Sequence, residues 1–175
     1  MALLMFTARI HDLQSSINRK QARLVELTRK LSDLQQYSAN IADGNNTIFE
    51  LVNAPASMFS RTLQYLSYSQ NVAMMNANNK WALIDPMLQQ QLQNSNMDAM
   101  QKQQYYQMYF QDLLKQERAE IQKREEKYIN QQEKEIEQEK TKVETSLKMD
   151  QTELESAQKA QDEGIKAFAP KYVAG

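Results

Sequence analysis

The residues able to do chemistry are few, and their spacing does not bring them together. His11 is the only histidine and the chain has no cysteine. Disulfides, thiol catalysis, thiolate metal sites and any site built on two histidines are therefore excluded within one chain. His11 falls beside the seam residue Ile10, at a flanking or exposed position. The densest acidic run is Glu133, Glu135, Glu137 and Glu139, preceded by Glu125-Glu126. Alternate residues on a helix diverge by about 200°, so these four carboxylates do not converge on one cation. They form a solvated face. Three glycines cannot build a phosphate cradle, and neither G-x-x-x-x-G-K nor G-x-G-x-x-G occurs. Serines, threonines and tyrosines are plentiful but have no base arranged near them. The expectation is a protein that is not an enzyme and holds no metal or cofactor.

What remains is chemistry of contact. Arg19, Lys20, Arg23, Arg29 and Lys30 form the one basic cluster. Nucleic-acid binders carry a larger excess, interleaved with aromatics, so no nucleic acid is expected as a partner. The net charge of −1 gives no long-range field toward nucleic acid or an anionic membrane. Methionine is abundant, with Met58, Met74, Met75, Met87, Met97, Met100 and Met108 in the middle of the chain. Its flexible side chain suits either a loose core or an adaptable partner surface. Tyr105, Tyr106 and Tyr109 occupy three sides of one helical turn, more than one partner helix can cover. With Phe110 and Leu113 they form the candidate interface.

These side chains must be carried by helices. Gly and Pro number three each among 175 residues, and mean hydropathy is −0.74. So few breakers predict a mostly helical chain, and so few apolar residues predict narrow helix seams in place of a globular interior. In the stretch from Leu3 to Ile41, Ile10, Leu13, Ile17, Leu24, Leu27, Leu31 and Leu34 recur in steps of three and four. That is a heptad seam, interrupted at Lys20 and Ser38, on a helix roughly 58 Å long. Arg9-Ile10-His11-Asp12-Leu13-Gln14 is echoed three heptads later by Lys30-Leu31-Ser32-Asp33-Leu34-Gln35. Heptads force such likeness; the other reading makes Asp12 and Asp33 equivalent contact points. Six basic residues against three acidic ones give this helix a net +3.

Ala42-Asp43-Gly44-Asn45-Asn46 predicts a helix stop. Thr47 and Glu50 read as a capping box for a short helix, Ile48 to Asn53, closed by Pro55. Ser57 to Met75 fits a helix better than a strand, although Leu63 to Tyr68 also alternates. Asn76-Ala77-Asn78-Asn79 reads as a loop and Trp81-Ala82-Leu83-Ile84 as an apolar knot. Asp85-Pro86 reads as the cap and first residue of another helix. Asn94-Ser95-Asn96 is a joint, with Ser95 and Asp98 as a capping pair. From Met97 to about Asp162 there is no Gly or Pro, which predicts a second long helix, on the order of 100 Å. Its seam returns at Val143, Leu147, Leu154 and Ala157, with Asp150 and Gln161 as poor seam residues; Gly164 and Pro170 fray its end. From Met97 onward 16 acidic residues face 13 basic ones.

The expected fold is all-α: an elongated antiparallel helical hairpin or coiled coil with short helices in the middle. Its parts are the heptad helix 1–42, a Met-rich middle 43–96, and the long C-terminal helix 97–175. Leu3 to Ile41 and Glu133 to Lys171 match in length and opposite charge. Two other pairings compete, one with the aromatic half of the long helix and one between molecules. No apolar run reaches the roughly 18 residues of a membrane span. The N-terminal MALLMFTAR lacks the features of a secretory leader, which points to a cytoplasmic protein or one exported without a cleaved signal.

Arg29-Lys30-Leu31-Ser32, followed by Asn40-Ile41-Ala42-Asp43, resembles the RLSSG…IN.A.DD segment of flagellin N-terminal helices, without its glycine and second acidic residue. The plan of two long terminal helices around a variable middle is similar to flagellins and to type III secretion needle or filament proteins of bacterial export systems. The resemblance covers about fifteen residues and carries over no residue roles. It implies a self-associating structural protein, an exported filament or appendage subunit. Two other classes fit the same residues. One is a coiled-coil adaptor binding another helical protein through its Met- and Tyr-rich region; the other is a membrane-surface binder anchored by Met1 to Phe6.

The seam makes one direct prediction. Leu27→Ala or Leu31→Ala costs about 2–5 kcal/mol where the side chain is fully buried. Gln14→Ala, off the seam, leaves urea unfolding almost unchanged, and equal losses at both kinds of site would mean that the register is wrong.

Overall fold

The computed structural model describes residues 2–42 and 54–168. These form three helices and no strand among the described residues: α1 (Ala2–Ala42), α2 (Phe59–Gln93) and α3 (Ala99–Phe168). The fold is all-α. It divides into two compact units, to both of which α1 and α3 contribute. The first takes the described residues up to Ser32 and those from Glu133 onward; the second runs from Asp33 to Gln132. The predicted stop at Gly44, the capping box of Thr47 and Glu50 and the helix Ile48 to Asn53 lie outside the described residues.

In the first unit α1 and α3 run antiparallel. Arg9 pairs with Glu153 and Arg23 with Glu139, so the partner number falls as the α1 number rises. Thr7 accepts a hydrogen bond from Gln161 at 2.9 Å. The heptad residues Leu13, Ile17 and Leu27 are buried, as is Ala157 of α3; Ile10, Leu24 and Leu31 are half-buried.

The second unit brings three helices together where α1 ends. Leu34, Tyr37 and Ile41 continue the α1 stripe and are buried. Tyr37 donates to Glu125, and Gln122 reaches the Ala42 carbonyl at 3.4 Å. The end of α1 thus lies against α3 residues that precede Glu133, which corrects the expectation that Glu133 to Lys171 takes the whole of α1.

α2 corrects several sequence expectations. Residues 76–79 are not a loop and Asp85-Pro86 does not begin a helix; both lie inside α2. Its buried stripe is Thr62, Tyr65, Ser69, Ala73 and Ala77, then Leu88 and Leu92. Four of the first five are small, and they let the α2 backbone approach its neighbour closely. The hydroxyls are satisfied at home: Thr62 donates to the Met58 carbonyl (2.9 Å) and Ser69 to the Leu66 carbonyl (3.1 Å). Asn residues have poor helix propensity, but the buried Ala77 between Asn76 and Asn78 outweighs it. Pro86 removes one backbone donor and disfavours the helical state of Asp85. Trp81 before it and the buried Leu88 and Leu92 after it hold the helix through.

The joint between α2 and α3 is capped differently from expectation. Ser95 turns back, its hydroxyl donating to the Leu92 carbonyl at 2.7 Å. The capping box belongs to Asp98 and Gln101: Gln101 N–H donates to the Asp98 carboxylate (2.7 Å) and Asp98 N–H to the Gln101 side chain (3.1 Å). α3 therefore starts at Ala99, not Met97, and it passes Gly164 without ending.

The two seam leucines differ. Leu27 is 1% exposed whereas Leu31 is half-buried. Leu27→Ala falls in the range of about 2–5 kcal/mol and Leu31→Ala well below it, measured by urea unfolding.

Candidate interaction surfaces

The side chains that break the heptad pattern find each other. Lys20, the polar interruption in the α1 seam, sits 2.5 Å from Asp150, the poor seam residue of α3. Ser16 donates to the same carboxylate oxygen at 2.6 Å, and Lys20 also reaches the Ser146 carbonyl at 3.3 Å. The Lys20 ammonium and the Ser16 hydroxyl hold the Asp150 carboxyl below its ordinary value, against the opposing effect of desolvation. The three cross-helix ion pairs of this unit, Arg9–Glu153, Lys20–Asp150 and Arg23–Glu139, all place the base on α1 and the acid on α3. Most of the basic cluster is thereby engaged: Lys30 pairs with Glu26, which Arg23 also contacts, while Arg19 and Arg29 are exposed.

In the second unit, α2 and α3 meet through two polar centres and one aromatic centre. Glu117 of α3 is 2% exposed and takes Lys80 and Asn76 from α2, the latter at 3.0 Å. The Lys80 ammonium keeps the Glu117 carboxyl below its ordinary value despite burial. About two heptads before Asn76 on α2, Arg61 lies between two rings, 4.8 Å from the centroid of Tyr37 and 5.2 Å from that of Tyr128. Its Nε and Nη2 donate to Glu125 Oε1 (3.1 and 2.8 Å) and its Nη1 to Gln132 (2.6 Å). Tyr37 donates to the same Glu125 oxygen at 2.7 Å. Burial, then the bond to Glu125, pushes the Tyr37 hydroxyl far above its ordinary value, so it stays a donor. Tyr37 also meets Tyr65 edge-on at 6.4 Å.

The candidate interface aromatics face inward in part. Tyr106, Tyr109 and Phe110 surround Trp81 at centroid distances of 5.8, 6.1 and 5.6 Å, and Leu113 is buried. Tyr105 is half-buried. What they leave outside is apolar and mostly on other residues: Leu83, Met87, Met100 and Met108 are exposed by 62–77%, and Met74 and Met75 lie open as well. From Trp81 to Met97 the only charged residue is Asp85. The methionines that the sequence offers as an adaptable partner surface are among these exposed residues; Leu83 is an addition to them.

Among the described residues no three histidine, aspartate or glutamate side chains gather as a metal site, and no helix is long and apolar enough to cross a membrane. Comparison with protein-family models, with characterised proteins and with solved structures finds no match to the chain.

The seam pair yields a sign-specific test. Asp150→Asn or Lys20→Met alone lowers stability by at most about 1.5–3 kcal/mol, whereas Lys20→Leu with Asp150→Leu recovers most of the loss. The folded carboxyl value lies below the ordinary 3.8, so its contribution is complete above that pH and is lost as acid takes the pH through the folded value. Urea unfolding at pH 7 and in acid reads both effects; the Asp150→Leu/Lys20→Leu protein loses less stability in acid than the parent.

Proposed function

We propose that this protein is a non-enzymatic helical protein that works by self-association, as a structural subunit. One observation carries the reading. The chain leaves Leu83, Met87, Met100 and Met108 largely in water, and from Trp81 to Met108 the charged residues are Asp85, Asp98 and Lys102 alone. Contiguous exposed apolar surface marks interfaces, and Leu83 and Met87, four residues apart on α2, are neighbours on one helix face. A charge-poor surface can meet its own copy without like charges facing each other, which a symmetric dimer requires. Methionine adapts to the facing surface.

The narrower role, an exported filament or appendage subunit, rests on the sequence resemblance to flagellins and type III secretion filament proteins. The two long helices at either end of the chain suit it. The basic face of α1 is already matched by acids of α3, which favours contact through the methionine-bearing part over contact through the α1 seam.

Sedimentation equilibrium tests the reading. The protein at high micromolar concentration gives a dimer or larger species, and Leu83→Glu with Met87→Glu returns it to a 20.4 kDa monomer with helicity intact. These two residues are preferred to Tyr109 and Phe110, whose replacement would strip Trp81 of its neighbours. A clean monomer for the parent chain would end the self-association reading.

A further inference from the structure

We propose that Met87, Met100 and Met108 are oxidation sites, and that their conversion to methionine sulfoxide by a peroxide releases the self-association while leaving the fold intact. The inference rests on the self-association reading above and names a regulation of that same surface.

The chain has ten methionines and no cysteine, so thioethers are its only sulfur. Every described methionine except the half-buried Met58 is exposed. The apolar core of the described residues is built from Leu, Ile, Tyr and Ala. Methionine commonly fills irregular gaps in a core; here the folded chain keeps it in water. Met87, Met100 and Met108 stand with Leu83 in the stretch where Asp85, Asp98 and Lys102 are the only charges.

The reaction is an oxygen transfer. A lone pair of the thioether sulfur attacks one peroxide oxygen, an S–O bond forms and the O–O bond breaks. The hydrogen on the transferred oxygen passes to the departing hydroxide, which leaves as water. Sulfur loses two electrons and the peroxide gains them. The product carries a polar sulfoxide where an apolar sulfur stood. A cysteine thiolate would compete for the peroxide, and the chain has none.

The fold and the interface respond differently. The inward side of the same helices is held by Leu88 and Leu92 of α2 and Leu113 of α3, which are buried. A sulfoxide at Met87, Met100 or Met108 faces water and disturbs no buried contact. Between two copies its oxygen needs a hydrogen-bond donor, and a like apolar surface offers none. A buried polar atom without a partner is costly. The fold therefore tolerates the change and the association does not.

Sedimentation equilibrium and circular dichroism of the full chain, before and after excess hydrogen peroxide, test the switch. Peroxide is expected to raise the dissociation constant at least about tenfold, as unpaired buried polar atoms require, with helicity unchanged. The methionine sulfoxide reductases, one for each sulfoxide epimer, restore association with dithiothreitol as reductant. Met87→Leu/Met100→Leu/Met108→Leu, whatever its own affinity, associates equally before and after peroxide. Met5→Leu with Met149→Leu, both in the first unit, loses association on oxidation as the parent does. Peptide mass spectrometry under limiting peroxide gives a second readout. Relative to Met5 and Met149, the three sites react more slowly in concentrated than in dilute protein. An oxidised parent that stays associated, lost helicity, no recovery with the reductases, a triple variant that still dissociates, or site rates independent of concentration would each overturn the inference alone. A parent that is monomeric before peroxide would overturn the self-association reading and this inference with it.

Discussion

Charge placed where a helix seam expects an apolar residue governs how these helices pair. Lys20 on α1 and Asp150 on α3 are each costly to bury alone, because a charge leaving water loses solvation that only a partner and hydrogen bonds can replace. Set opposite each other, with Ser16 completing the carboxylate, they become a register mark: a shift of one turn would leave both unmatched. The same device recurs in the second unit, where Glu117 takes Lys80 and Asn76, and Glu125 takes Arg61 and Tyr37. In coiled coils a polar residue at a seam position can select register at a cost in stability. The apolar seams supply the driving force; these pairs choose among the ways the seams could close.

That division bears on function. In the first unit the basic face of α1 and the acidic face of α3 satisfy each other, so the heptad seam is spent within the chain. In the second unit α2 uses its small residues inward and turns larger apolar ones outward. α2 buries Thr62, Ser69, Ala73 and Ala77 while exposing Leu83 and Met87. The exposed side is the one that the proposed self-association would cover.

The same inversion explains what could be read from the sequence. The α1 seam was legible because Leu13, Ile17, Leu27 and Leu34 are large, apolar and regularly spaced, and they are the residues buried. α3 was legible from the lack of Gly and Pro between Met97 and Asp162. α2 was broken into pieces because the first part of its buried stripe is mostly Thr, Ser and Ala, which give a weak hydrophobic period, while Phe59, Leu63, Met74 and Met75 advertise the wrong face. Pro86 and the Asn residues at 76, 78 and 79 are local signals for a break that tertiary packing overrides. Lys20 and Asp150 were visible singly as faults in two seams. Their pairing was not, because it depends on how far α3 is offset along α1. The Arg61 centre left no sequence signal at all: Tyr37, Arg61, Glu125 and Tyr128 lie on three helices and meet only in the fold.

The central claim is that α1 closes antiparallel on the second half of α3 within one molecule, with Ser16 opposite Asp150. The chain has no cysteine, so introduced pairs report without background. Ser16→Cys with Asp150→Cys, treated with a short bismaleimide at low protein concentration, should cross-link within the monomer in high yield. Ser16→Cys with Glu126→Cys, the pairing that the aromatic half of α3 would require, should not. Cross-linking of the second pair, or only dimeric product from the first, would contradict the account.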